Sequence, residues 1–192
     1  TALDYKNPYV SPFQEFQRWK HHPKVAEILE GGKRVAYGAR AINEGGWQSV
    51  PKLAFPGGVL VGCAAGFVNV PRIKGSQSAV KTGMLAAEAA FAAIQGGRQG
   101  DELVEYEQAY QSSWVAKELK LVRNAKPLLA RFGTALGMML GGVDMTITSL
   151  TGGFSFFGTM KHKKTDAAST GLAKDHKPIV YPKPDNEISF DK

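Results

Sequence analysis

The sequence is poor in the residues that hold disulfides, clusters or metal ions. Its 192 residues include one cysteine, Cys63, and four histidines. A lone cysteine excludes an intrachain disulfide, a CxxC redox pair and a cysteine-ligated cluster within this chain. His21 and His22 are adjacent and have no acidic or cysteine cluster beside them, so we expect no metal site. The first residues lack a charged region followed by an apolar one, so we expect no signal peptide there.

Acidic residues are also under-represented. Twenty-four Lys and Arg against 17 Asp and Glu give a formal net charge of +7, which favours anionic partners such as nucleic acid or anionic lipid. The cations do not form one long tract and no nucleic-acid module is recognisable, so we expect no nucleic-acid partner. An apolar fraction of 43% is enough for the core of one domain or slightly more.

Local patterns predict an α+β or α/β arrangement of helices and short antiparallel strands. Ser11 followed by Pro12 is typical of a helix start, and we expect that helix to break near Pro23. Asp101 is expected to cap a later helix whose apolar face recurs at three- and four-residue spacings. Further helices are predicted at 24–30, 76–94 and from 101 to about 124, and strands at 33–42, 47–53 and 59–61.

The segment 61–83, VGCAAGFVNVPRIKGSQSAVKTG, carries the most informative chemistry. A buried strand ends at a small-residue turn, and a second glycine then opens a helix. Backbone amides at such a turn and helix start suit an anionic or electron-rich ligand. The segment resembles the second FAD-contacting segment of flavoprotein oxidoreductases, although their GxGxxG unit is absent. The resemblance implies a fragment of the α/β FAD-binding superfamily, with FAD as the cofactor, held by Gly62, Cys63, Ala64, Ala65, Gly66, Asn69, Gly75, Ser76, Gln77 and Ser78.

The same residues also have structural interpretations. The small residues are compatible with a strand–turn junction packed under a helix. Ser76 or Ser78 is able to cap the helix, and Asn69 is able to hold the turn through its own backbone bonds. Asp144 is expected to be a helix cap or, as the second choice, a proton-handling group.

Residues 127–160 form an apolar stretch in which Arg131 and Asp144 are the only charges. No uncharged run reaches the roughly 20 residues that span a bilayer. Cations flank both ends, among them Lys126 and Lys161, as in a segment that lies in the lipid interface. The alternative is a buried helical hairpin. The membrane interpretation places seven residues at the acyl boundary: Phe132, Leu136, Met139, Leu140, Phe154, Phe156 and Phe157.

Four stretches together resemble the electron-transfer flavoprotein:ubiquinone oxidoreductase family. They are LDYKNPYVSPFQEFQRWKHHP (3–23), EGGKRVAYGARAINEGGWQSVPKLAFPGG (30–58), VGCAAGFVNVPRIKGSQSAVKTGMLAAEAAF (61–91) and IVYPKPDNEISFD (179–191). They follow the family's order and cover nearly the whole chain, whereas 125–160 matches in apolar character more than in letters. Cys63 is the family's usual residue where related flavoproteins have Asp.

The resemblance implies an electron-transferring-flavoprotein dehydrogenase of the respiratory chain. Such an enzyme accepts electrons from reduced electron-transfer flavoprotein, carries them on FAD and a [4Fe–4S] cluster, and reduces ubiquinone at the membrane surface. It implies a monotopic location on the inner mitochondrial membrane, matrix face, or on the bacterial cytoplasmic membrane. We expect the GxGxxG unit and the cluster ligands to lie outside this chain, and the chain alone to be inactive. The catalytic residues are not identified.

The resemblance also divides the chain. It implies a late part of a quinone-binding domain at 1–55, the second FAD segment and helices at 56–124, the membrane segment at 125–160 and a linker at 161–192. Two alternatives stay open: a related flavin-dependent quinone reductase, such as the nitrogen-fixation-linked enzyme, and a non-catalytic membrane-surface module.

Overall fold

The computed structural model describes residues 4–191. The predicted segments 1–55 and 161–192 include residues 1–3 and 192, which lie outside that range. The described chain is mainly helical with a small antiparallel sheet, which is compatible with the predicted α+β class. Its described residues divide into two compact units, one formed by residues 4–39 with 164–191 and the other by Arg40–Lys163.

The first unit contains helices α1 (Pro12–Lys20) and α2 (Pro23–Leu29). The Ser11 hydroxyl accepts the Gln14 N–H at 3.4 Å, and the His22 ring accepts the Lys24 N–H at 3.3 Å. Both helices therefore begin with a capping side chain followed by proline, as the helix-start pattern predicts.

The C-terminal residues of this unit are bound to α1. The Tyr181 hydroxyl donates to Glu15 Oε1 at 2.9 Å and accepts the Ser11 N–H at 3.0 Å. The Gln17 amide oxygen accepts the Phe190 N–H at 3.0 Å. The unit also contains the one-turn helix α7 (Asp166–Ser169) and a short 3₁₀ turn at Ala173–Asp175.

The two predicted strands at 33–42 and 47–53 are wrong. Residues 33–42 are irregular and exposed, and the alternating Val35 and Tyr37 keep 94% and 76% of their surface in contact with solvent. Residues 47–53 instead begin with a 3₁₀ turn, Trp47–Ser49. Alternation produces a strand only where a second strand supplies hydrogen-bond partners, and among residues 4–191 no strand pairs with either segment.

The second unit begins with a two-stranded antiparallel sheet. β1 (Ala54–Phe55) pairs with β2 (Gly58–Val59), so the predicted strand at 59–61 is shorter and starts one residue earlier. Helix α3 (Ser76–Gln95) follows and ends one residue beyond its predicted end.

The helix predicted from Asp101 to about residue 124 is two helices, α4 (Val104–Ser112) and α5 (Trp114–Leu121). Asp101 does not cap α4, whose N-cap is Leu103. The Ser113 hydroxyl accepts the Ala116 N–H at 3.4 Å and so caps α5 where the two helices meet. The predicted apolar face is otherwise present, because Tyr106 and Tyr110 are buried in the core.

The core of this unit lies among α3, α4, α5 and the turn after β2. The Phe67 and Tyr110 rings stack at its centre with their centroids 4.5 Å apart. Its buried members are Leu53, Ala65, Phe67, Leu85, Ala86, Ala93, Leu103, Tyr106, Tyr110, Val115, Ala116 and Leu119.

The last long helix, α6 (Ala125–Thr151), bends at Gly133, whose φ of +75° and ψ of −177° are not helical. The two parts of α6 then approach each other closely, because a Cβ at Gly137 would lie 2.8 Å from the Leu128 carbonyl oxygen. Within residues 4–191, no helix combines the length and apolar character that crossing a bilayer requires.

Candidate functional site

A tight turn of small residues follows β2. We call residues 62–66 the glycine turn: Gly62–Ala65 form one 3₁₀ turn, and Gly66 ends it with φ +79°, a conformation that favours glycine. The Phe67 N–H returns to the Gly62 carbonyl at 3.1 Å. The turn is therefore fixed by its own backbone.

The glycine turn lies against the start of α3. A Cβ built on Gly62 would lie 2.9 Å from Ala79 Cβ, and one built on Gly75 would lie 3.3 Å from Cys63 Sγ. The Thr82 hydroxyl accepts the Gly62 N–H at 3.1 Å and donates to the Ser78 carbonyl at 2.8 Å. The structure thus brings together the two groups of residues that the sequence singles out.

The predicted cofactor residues differ in their access to solvent. Ala64 and Ser76 are exposed, and Cys63, Gly75 and Gln77 are partly buried. Backbone and side chains of the remaining five are almost fully covered: Gly62, Ala65, Gly66, Asn69 and Ser78. The exposed and partly buried residues offer atoms to a bound molecule without rearrangement, and the contacts of all ten with FAD stay a prediction.

The capping interpretation of the serines is wrong. The N-cap of α3 is Gly75, and no side chain caps the helix. Ser76 occupies the first helical position, and the amides of the first helical turn have no capping acceptor. A 20-residue helix carries a partial positive charge at this end, so the exposed start of α3 suits a negatively charged group.

Asn69 has a structural role that the sequence also allowed. Its side-chain oxygen accepts the Arg72 N–H at 3.3 Å, and its backbone pairs with Lys74 as an isolated antiparallel bridge. Its amide nitrogen donates to Glu118 of α5. These bonds hold the connection between the glycine turn and α3 against α5.

Three residues that support the glycine turn and its connection to α3 were not indicated by any sequence pattern. Thr82 and Glu118 act through contacts that join positions 20 and 49 residues apart. Asn43 is the third, because its side-chain nitrogen would lie 3.1 Å from a Cβ at Gly66. Local patterns do not reveal such partners, since each depends on how distant elements pack.

A second candidate surface is apolar. We call residues 153–160, which follow α6, the aromatic loop; Phe154 and Phe156 meet there edge to face with their centroids 5.2 Å apart. Phe156 is 77% exposed. Of the seven residues predicted at the acyl boundary, six are exposed and Leu140 is partly buried: Phe132, Leu136, Met139, Phe154, Phe156 and Phe157. Large apolar side chains exposed together are typical of an interaction surface.

Asp144 is not a helix cap. It lies in the interior of α6 and is 2% exposed. Its carboxylate accepts hydrogen bonds from the Asn124 amide, at 3.1 Å, and from the Ser155 hydroxyl.

Three side chains in the first unit resemble a Ser–His–Asp triad in composition but not in geometry. His21 Nε2 lies 2.9 Å from Ser189 Oγ and 3.9 Å from Asp185 Oδ2, so both partners face the same ring nitrogen. The Ser189 hydroxyl also donates to Asp185 Oδ1 at 2.9 Å. A triad requires the carboxylate on the opposite ring nitrogen, so this cluster closes a turn instead.

Comparison with known proteins places these surfaces in context. A family model described as "ETF-QO, ubiquinone-binding" matches residues 1–42. Proteins named electron transfer flavoprotein-ubiquinone oxidoreductase, mitochondrial, match nearly the whole chain. The rat protein is 53% identical, the human protein 52% and the Arabidopsis thaliana protein 48%, each over 99% of this chain.

The predicted family resemblance is confirmed. The alignments cover 31% of the rat and human proteins and 29% of the Arabidopsis protein, so the chain spans about a third of the length of these relatives. By name the relatives are mitochondrial oxidoreductases that act between electron transfer flavoprotein and ubiquinone.

Proposed function

We propose that this chain is part of a membrane-associated oxidoreductase that passes electrons from reduced electron-transfer flavoprotein to ubiquinone. The observation that carries the proposal is the contact between the glycine turn and the start of α3, which no side chain caps. It occurs in a chain whose sequence is about half identical to enzymes of that name. FAD would supply the electron-carrying chemistry when bound. A [4Fe–4S] cluster would need ligands from outside this sequence, which has a single cysteine.

The residues at the start of α3 fit an anionic dinucleotide. Ser76 is exposed, and Gly75 carries no side chain. A Cβ built on Gly75 would lie close to Cys63 and Val68. A polar group of the cofactor is therefore able to approach the amides of this helix without displacing a capping side chain. The partial positive charge of the helix would stabilise negative charge on a bound flavin. Cys63, Ala64 and Gln77 would complete the contacts.

The first unit would contact ubiquinone. The matched family model covers residues 1–42 and names ubiquinone binding. In this range Phe16 and Trp19 stack with centroids 5.7 Å apart and are each more than half exposed. Paired aromatic rings at a surface suit a flat apolar headgroup. No residue in this unit is assigned a catalytic role.

The apolar surface of α6 and the aromatic loop would rest on the membrane. Burying one large apolar side chain contributes on the order of 1.5–3 kcal/mol, so three or four hold a protein at the interface. Lys161 and Lys163, both exposed, follow the aromatic loop and would meet anionic headgroups. We place this contact on the matrix face of the inner mitochondrial membrane; the mitochondrial names of the relatives support the organelle.

The flavin contact is tested by charge at one exposed position. Ser76→Asp places a carboxylate at the first turn of α3, where it favours the helix but competes with an anionic cofactor. Ser76→Asn is the matched control, because it has nearly the same shape and no charge. In the full-length enzyme we expect Ser76→Asp to lower flavin content, read from visible absorbance, and Ser76→Asn to retain it. Equal flavin content in the two variants would rule out this placement.

The membrane contact is tested by the aromatic loop. Replacing Phe154, Phe156 and Phe157 by serine should release the full-length enzyme from lipid vesicles while flavin content persists. The control replaces Phe91 and Ile94, exposed on α3 by 66% and 56%, with serine. Release by the control alone, or unchanged sedimentation of the triple variant, would place the membrane contact elsewhere.

A further inference from the structure

A buried polar cluster lies beneath the aromatic loop. Asn124 is fully buried, and its side-chain nitrogen lies 3.1 Å from Asp144 Oδ2, 3.0 Å from Ser155 Oγ and 2.9 Å from the Gly158 carbonyl. Its side-chain oxygen accepts the Met160 N–H at 3.0 Å. One side chain thus reaches the beginning, middle and end of the loop.

The other members of the cluster complete these bonds. Asp144 accepts from the Ser155 hydroxyl, and Ser155 Oγ in turn accepts the Phe157 N–H at 3.1 Å. Asp144 is 2% and Ser155 is 8% exposed. A buried carboxylate and amide are stable only where their hydrogen bonds are satisfied, so this cluster strongly favours one conformation of the loop.

Arg123 supplies a second layer of contacts. Its guanidinium donates to the Gly153 carbonyl at 3.0 Å, to the Gly158 carbonyl at 3.2 Å and to the Thr159 hydroxyl at 3.0 Å. It is 7% exposed. Both ends of the aromatic loop are therefore bound to the residues that join α5 to α6.

Two of the three phenylalanines contribute little to the conformation of the loop. Phe154 and Phe156 are 56% and 77% exposed, so most of their surface makes no contact within the unit, whereas Phe157 is 40% exposed. The loop backbone is instead held from below by the polar cluster. A loop that keeps its bound conformation in solution avoids the entropy lost when a flexible loop is ordered on binding.

We propose that Asn124, Asp144 and Ser155 are positioning residues that hold the aromatic loop in its lipid-binding conformation before it meets the membrane. This inference rests on the proposed membrane contact of the loop. It assigns a role to the one buried carboxylate of α6, which neither caps the helix nor faces solvent. The partner is a lipid surface that accepts three aromatic side chains at once.

The test uses Ser155→Ala and Asp144→Asn in the full-length protein. Ser155→Ala removes one hydroxyl, and Asp144→Asn turns an acceptor into a donor that faces the Asn124 amide. We expect hydrogen exchange of the Phe157 and Met160 amides to accelerate about tenfold or more, while amides of α3 keep their rates. Affinity for vesicles of mixed neutral and anionic lipid should fall by roughly threefold to tenfold.

Thr146→Ala is the control, because it also removes one hydroxyl, which lies on α6 and donates to the Gly142 carbonyl at 2.9 Å outside the cluster. It should leave both exchange and vesicle affinity unchanged. Ser155→Thr keeps the hydroxyl and should restore both. If Asp144→Asn does not fold, Ser155→Ala and its Thr rescue decide the matter.

The outcomes separate the inference from the function on which it rests. Unchanged exchange at Phe157 and Met160 in Ser155→Ala would overturn the inference. Faster exchange with unchanged vesicle affinity would also overturn it, provided that the triple Phe→Ser variant loses affinity. If the triple variant binds vesicles as the parent does, the membrane contact of the loop is wrong, and with it the positioning role for lipid binding.

Discussion

Gly137 lies where the two parts of α6 meet, and it has no room for a side chain. A Cβ there would lie 2.8 Å from both the Leu128 carbonyl oxygen and Leu129 Cα. Both are backbone atoms that cannot rotate away as a flexible side chain would. Gly137→Ala therefore requires the two parts of the helix to separate by several tenths of an ångström.

The magnitude follows from two opposing effects. Replacing glycine by alanine inside a helix stabilises by about 0.5–1 kcal/mol, whereas forcing an extra methyl into a packed contact costs about 1–3 kcal/mol. We expect Gly137→Ala to lower the free energy of unfolding by roughly 0.5–2 kcal/mol. Gly142 is the control: it lies in the same helix, and nothing lies within 4 Å of its Cβ position. Gly142→Ala should raise the free energy of unfolding by about 0.5–1 kcal/mol.

The difference in unfolding free energy between the two variants measures the steric contact at Gly137, because the gain from the helix propensity of alanine is common to both. Urea unfolding with linear extrapolation measures it, provided that the slope with denaturant is unchanged. A Gly137→Ala protein as stable as Gly142→Ala would refute the close packing of the two helix parts. The bend at Gly133 would then not set the spacing of the apolar residues on either side of it.

Two further predictions concern the core and the C-terminal turn. The Tyr110 hydroxyl is buried without a hydrogen-bond partner in the described chain, so Tyr110→Phe should leave the free energy of unfolding unchanged or raise it by up to about 1 kcal/mol. Tyr106→Phe instead loses the 2.8 Å hydrogen bond to the Leu60 carbonyl and should lower the free energy of unfolding by about 1 kcal/mol. The N–H groups of Ser189 and then of Glu187 and Ile188 hold the pKa of the Asp185 carboxyl well below its usual range. The stabilisation from these hydrogen bonds is present above the unfolded pKa of about 4 and is lost as the pH falls through the lower folded pKa. The protection factor of the Ser189 amide, which is the intrinsic exchange rate divided by the observed rate at the same pH, should therefore fall in acid, but not in Asp185→Asn.

Helices that carry their own start and stop signals were predictable from the sequence. α3 begins at Ser76 as predicted and ends at Gln95, next to the glycine pair that follows it. α1 begins with the Ser11 cap and Pro12. These signals act over a few residues, so they depend little on what the helix packs against.

Elements that depend on distant partners were not predictable. The alternation at residues 33–42 is typical of a strand, but a strand forms only when another segment pairs with it. Ser113 breaks the helix after α4 because its hydroxyl caps α5, although the apolar spacing continues across it. Asp144 is predicted to be a cap because a charged residue in an apolar stretch favours a helix end. Its partners Asn124 and Ser155 lie 20 and 11 residues away, beyond the reach of local patterns.

Both candidate surfaces are held by α5, a helix of eight residues. On one side Glu118 accepts the amide of Asn69 and thereby holds the connection that follows the glycine turn. At its end the Leu121 carbonyl accepts the Thr148 hydroxyl of α6 at 2.8 Å. Leu119, between these two contacts, is 1% exposed and fixes α5 in the core. A flavin contact and a lipid contact supported by one buried helix would keep a more constant separation than contacts on separate elements, because a packed core resists displacement of α5. Electron transfer to a quinone that enters from the membrane benefits from such a fixed distance, so the packing of α5 is as relevant to the proposed function as the exposed residues themselves.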